Sequence, residues 1–165
     1  VVPFGFLHGW GRLFLAYNEF MNYQRFIPAI VVGTVFHEAL HGAGWALFGR
    51  LPFTTIKYGF SVRTITPYAH CPVPLPINAY RAGTALPGVA LGLLPALVAL
   101  AIGNGFLIIF SAFFLGAASG DALCLLLMRG VQADALVRDH PSRAGCEVLP
   151  TEETSIRPGE VTEVQ

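Results

Sequence analysis

The chain has 165 residues, 54% of them hydrophobic and 12% charged, with a mean hydropathy of +0.59. Soluble domains carry about 25% charged residues, so roughly half the usual charge is missing. Ten Lys and Arg balance ten Asp and Glu, which leaves no cationic surplus for a nucleic-acid partner.

The length allows one domain. Cys71, Cys124 and Cys146 are odd in number and contain no C-x-x-C pair, which argues against a disulfide framework or a cysteine zinc knuckle.

In chain order, residues 1–25 are apolar and aromatic but carry His8 and Arg12, with Trp10 and Tyr17 of interfacial character. They read as an interfacial helix or as a fourth membrane span. The chain opens on Val1, which leaves room for an upstream piece, and these residues lack the order of a signal peptide. Phe26 to Gly49, between Arg25 and Arg50, is the first clear span; its ionisable groups are His37, Glu38 and His41. Phe53 to Thr66 is rich in β-branched and aromatic residues, with Gly59 as a bend. It predicts a two-stranded sheet, followed by a connector through Pro72, Pro74 and Pro76.

Residues 82–120 contain no charged side chain. The Gly103-Asn104-Gly105 turn signal divides this region into spans from about Ala82 to Ile102 and from Phe106 to Met128. About 20 residues at 1.5 Å rise cover the hydrocarbon core, so both are long enough. Pro87 and Pro95 predict kinks, and the small residues Gly116 to Gly120 predict close helix approach. The expected fold is a mainly α-helical polytopic membrane protein with about three spans, or four with the N-terminal segment. A small β-sheet lies between the first and second clear spans. Residues 1–146 form the membrane-embedded domain and 147–165 a polar, disordered tail.

With three spans, Arg12 and Arg25 lie on one side. Arg50, Lys57, Arg63, Arg81, Arg129, Arg138, Arg143 and Arg157 lie on the other. The positive-inside rule places the sheet and the tail in the cytoplasm.

His37-Glu38-Ala39-Leu40-His41 is an H-E-x-x-H pattern. On a helix it puts two imidazoles on one face for a single Zn2+, with Glu38 beside them to move protons. Bound zinc acidifies water and polarises a carbonyl. Ionisable groups at membrane depth are functional by default. A catalytic zinc takes a third protein ligand and keeps one position open. Leu47 stands where a metzincin has histidine, and the acids between Glu38 and Glu147 are Asp121, Asp134 and Asp139.

Asp121 lies inside the third span. His41 is nine residues before Arg50 and Asp121 eight before Arg129, which places both about 12–13 Å below the same surface. His37, His41 and Asp121 can therefore share one metal; the alternative is an Asp121 carboxylate hydrogen-bonded to a neighbouring helix. His70 and Cys71 are an alternative third ligand, a second site or a structural turn. Asp139-His140 is an acid–base pair or a fold of the tail, and Cys124 is packing. Asn78, Tyr68 and Asn104 are unranked donors to an oxyanion.

His37-Glu38-Ala39-Leu40-His41-Gly42, Lys57-Tyr58-Gly59-Phe60, Pro67-Tyr68-Ala69-His70-Cys71, a proline-containing span and Ser119-Gly120-Asp121 together resemble a zincin peptidase family of unknown function. That family is similar to the site-2 intramembrane metalloproteases. The likeness covers roughly residues 26–146, including Asp139-His140-Pro141 and Gly145-Cys146. In site-2 proteases the third ligand is the Asp of an Asn-Pro-Asp-Gly-like motif; Ser119-Gly120-Asp121-Ala122 keeps that Asp but not its neighbours. The resemblance implies that an extended substrate segment pairs with an edge of the sheet.

The expected function is a zinc-dependent membrane metallopeptidase. Membrane lipid and a membrane-associated protein or peptide substrate are its partners. The alternative is an inactive zincin-like membrane scaffold or regulator. A metal or ion carrier is a third possibility, disfavoured because the candidate ligands cluster at one depth.

Overall fold

The computed structural model describes residues 1–62, 65–140 and 145–150. Arg63, Arg143 and the residues from 151 onward, on which part of the charge count and the disordered tail rest, lie outside the described residues.

Helix α1 (Val2–His8) breaks at Gly9, whose φ of 95° favours glycine, and α2 (Trp10–Met21) follows. Helix α3 (Tyr23–Gly49) starts where the Asn22 side chain accepts the Gln24 N–H, and it ends at a left-handed Arg50. After a short 3-10 turn at Phe53–Thr55 come strands β1 (Lys57–Ser61), β2 (Thr66–His70) and β3 (Leu75–Pro76).

Helix α4 (Ile77–Pro87) continues through a π-helical stretch at Gly88–Leu93 into α5 (Leu94–Ile102). The wide π turns occupy the stretch between Pro87 and Pro95, where missing N–H groups disturb the ordinary helical ladder. The two expected kinks are thus absorbed within one long run. Gly103, at φ 70°, ends α5, and the Asn104 side chain caps α6 (Gly105–Ala117) by accepting the Leu107 N–H. Helix α7 (Ser119–Met128) follows a 44° bend at Ala118. Strands β4 (Leu136–Asp139) and β5 (Cys146–Val148) come last.

Two helical runs, Tyr23–Gly49 and Ile77–Ile102, are long and apolar enough to cross a membrane; the bent α6–α7 pair makes a third if it is one span. Their outer faces expose Val31, Val35, Phe36, Leu93, Leu97, Leu123 and Leu127. Such a surface suits lipid and is unusual for water. The N-terminal helices do not stand alone. Phe4, Leu13 and Phe20 share a core with Ala99, Ile108 and Ile109, and His8 Nε2 donates to the Leu100 carbonyl at 2.7 Å.

The predicted hairpin is present as β1–β2, antiparallel with Tyr58 opposite Ala69. It begins later than the sequence texture suggested, because Phe53–Thr55 is a turn. A second sheet, β3–β4–β5, was not anticipated. It joins the proline connector to strands from the far end of the domain, with Leu75 opposite Val137 and Asp139 opposite Cys146.

Helices α3 and α4 cross closely. A Cβ on Gly44 would lie 2.6 Å from the Gly83 Cα, so both positions need a residue without one. Gly116 and Gly120 take no part in such an approach, since a Cβ on either meets nothing within 4 Å. Of that small-residue stretch it is Ala118, at the bend, that makes a close approach: it is buried, and a Cβ on Gly88 would lie 3.2 Å from its own Cβ.

Candidate metal centre

His37 and His41 are one helical turn apart on α3, and both are buried, at 8% and 6% exposure. Their rings meet edge to face with centroids 4.9 Å apart. Asp121 enters from the first turn of α7, directly after the bend, where the positive end of a helix favours a carboxylate. Its Oδ2 lies 3.1 Å from His37 Nε2 and its Oδ1 3.3 Å from His41 Nε2. One ligand atom from each of the three residues can be chosen so that all lie within 4.8 Å of one another.

Among the described residues, the buried side-chain atoms without a hydrogen-bond partner are His37 Nδ1 and Asp121 Oδ2. Buried polar atoms are rarely left so. Here both belong to this group, and the 3.1 Å contact between His37 Nε2 and Asp121 Oδ2 lacks the alignment of a hydrogen bond. Atoms that lie close without bonding suit a shared third partner. Metal bonds of 2.0–2.2 Å at a tetrahedral centre set ligand atoms about 3.3–3.6 Å apart, within a few tenths of both contacts. The donor set of two imidazoles and a carboxylate fits zinc.

The surroundings orient the ligands. His41 Nδ1 donates to the Gly83 carbonyl at 3.2 Å, which fixes the tautomer that leaves Nε2 free as a donor to metal. The Gly44–Gly83 crossing makes that reach possible. Arg81, on the same helix α4, donates to the Met128 and Val131 carbonyls and so ties down the C-terminal end of α7. The hairpin lies against α3 directly after His41. A Cβ on Gly42 would lie 2.2 Å from Tyr58 Oη, which donates to the Ala39 carbonyl. Glu38 Oε2 accepts the Ala69 N–H of β2 at 3.0 Å.

A family model described as "Putative zincin peptidase" matches residues 30–136, a stretch that includes His37, Glu38, His41 and Asp121. The chain belongs to this family. The family's name implies zinc and metallopeptidase chemistry, and the grouped His and Asp side chains suit it. No curated protein and no solved structure matched the chain.

The other sequence candidates lie apart from this group. His70 Nδ1 donates to Asp139 Oδ2 at 2.7 Å, and the Cys71 N–H reaches the same oxygen at 3.4 Å. The Cys71 thiol is fully buried and donates to the Val73 carbonyl, and burial pushes its pKa up. Bonded to Asp139, His70 and Cys71 form a structural corner outside the His37–His41–Asp121 group. Asn78 accepts from Arg81 in an exposed contact, and Asn104 is a helix cap. Asp139 serves β2 and α4, whereas His140 faces Glu147 at 3.5 Å; the two do not act as an acid–base pair with each other.

Sequence reasoning missed the Gly83 carbonyl, the Ala69 amide and the Tyr80–Asp139 bond. Two of the three are backbone groups, which no residue type announces. For Gly83, a glycine inside an apolar helix was the available signal.

Proposed function

We propose that this family member is a zinc-dependent membrane metallopeptidase that hydrolyses a peptide bond in or near the membrane, with the sheets and the C-terminal region on the cytoplasmic side. The observation that carries the reading is the buried Asp121 Oδ2, without a hydrogen bond yet 3.1 Å from His37 Nε2, within one His–His–Asp group beside Glu38. His37, His41 and Asp121 would hold the ion. Zinc, when bound, supplies a Lewis acid that polarises the scissile carbonyl and makes water easier to deprotonate.

Glu38 takes the proton of the attacking water on the oxygen not held by Ala69 and returns it to the leaving nitrogen. The Gly83 carbonyl holds His41 in register. Action within the bilayer rests on the likeness to site-2 intramembrane metalloproteases and on the apolar spans.

Glu38→Gln tests the reading. In liposomes holding the zinc-loaded full chain, with fluorescein-labelled casein as the probe, cleavage should fall by about 10²–10⁴-fold while zinc content is unchanged. Undiminished cleavage would reject Glu38 as the base. An inactive scaffold would show no casein cleavage before or after the change.

A further inference from the structure

In the structure the Glu38 carboxylate is held by the Ala69 N–H at 3.0 Å. Ala69 stands opposite Tyr58 in the β1–β2 ladder, yet its N–H turns outward to α3. Backbone groups alternate sides along a strand, so the other outward position inside the paired segment is Pro67, opposite Phe60. Proline has no N–H. The outer edge of β2 therefore carries one backbone donor, and that donor is on Glu38.

The two residues after Ala69 are gripped from elsewhere. Asp139, on β4 and 8% exposed, accepts His70 Nδ1 at 2.7 Å, the Cys71 N–H at 3.4 Å and the Tyr80 hydroxyl at 2.8 Å. Tyr80 stacks on Trp45, which stacks on His41, with centroids 5.3 and 5.5 Å apart. One carboxylate thus joins the end of β2, helix α4 and the second sheet. Asp139 lies beyond residue 136, where the family match ends.

We propose that β2 is a positioning element for the general base. The Ala69 N–H fixes Oε2 of Glu38 and leaves Oε1 to exchange protons; Asp139 fixes Ala69 by holding His70 and Cys71. A glutamate side chain otherwise samples several rotamers, and small misplacement of a reacting group costs rate steeply. This inference rests on the reading of Glu38 as the base.

The test compares Ala69→Pro, which removes the N–H, with Ala69→Gly, which keeps it, in the zinc-loaded full chain in liposomes with fluorescein-casein as the probe. Proline suits an outward edge position, and Tyr68 before it is already extended. The expected result for Ala69→Pro is a kcat about ten- to a hundredfold lower, with KM and zinc content unchanged, whereas Ala69→Gly keeps most of the rate. If Ala69→Pro loses its zinc through misfolding, Asp139→Asn decides by the same kcat-against-KM split.

A readout independent of activity is hydrogen exchange at the Ala69 amide, which should quicken at least tenfold in Glu38→Ala. Wild-type kcat in zinc-loaded Ala69→Pro, or exchange indifferent to Glu38→Ala, would overturn the positioning role. Full cleavage by Glu38→Gln would instead remove the base reading, and this inference with it, whatever the exchange data show.

Discussion

Two clusters of His and Asp side chains lie in this molecule, and they are finished in opposite ways. Around Asp139 three donors, from His70 at the end of β2, from Cys71 just after it and from α4, converge on one carboxylate. No buried side-chain atom there is left unpaired among the described residues. Around Asp121 the side chains approach to 3.1 and 3.3 Å, but one carboxylate oxygen and one imidazole nitrogen have no hydrogen-bond partner. Unpaired buried polar atoms cost stability, and the proposed metal would complete Asp121 Oδ2. The same residue types thus build a closed rivet in one place and leave an incompletely bonded group in the other.

Asp121→Asn should break this contrast most strongly. Zinc affinity is expected to fall by more than a hundredfold, since loss of a direct ligand exceeds the 10–100-fold cost of losing an outer partner. The metal-free chain should lose less stability than the Asp139→Asn variant, because Asp121 Oδ2 has no hydrogen bond to lose. Metal titration and thermal unfolding in detergent, with and without chelator, check both halves.

Asp139→Asn should do the reverse, lowering stability by about 1–3 kcal/mol through loss of charge-assisted bonds while zinc affinity changes little. Equal effects of the two substitutions on stability would erase the distinction between the clusters.

The smallest effect concerns Cys146, at the border of the paired cluster, whose thiol is pushed up to about 11 by burial and by the charge of Asp139. The folded chain keeps that proton in the window between the ordinary thiol value and about 11. Its contribution to stability is therefore present below the ordinary value and lost as pH rises through the window. Alkylation of Cys146 by iodoacetamide should be slow at pH 8 and accelerate about tenfold per pH unit towards 11. Fast modification at pH 8 would mean that this corner is open.

What the sequence could disclose followed the range of each signal. The four-residue spacing of His37 and His41, and the capped turn at Gly103-Asn104, are local and were readable. Asp121 was readable by elimination and by its depth relative to Arg129, an argument that the apolar spans make possible. The second sheet was not readable, because β3 is two residues long and its partner Val137 lies far along the chain from Leu75. The glycines at 116 and 120 looked like packing residues, but the close crossing uses Gly44 and Gly83. A glycine's absent side chain does not say which neighbour approaches.

Whether His37, His41 and Asp121 together hold one zinc ion can be read by zinc K-edge absorption spectroscopy of the purified full chain. The expected result is one zinc per chain with nitrogen and oxygen ligands at about 2.0–2.2 Å, including two imidazoles, and loss of that signal in His41→Ala. A sulfur ligand at about 2.3 Å, or an unchanged spectrum in His41→Ala, would contradict it.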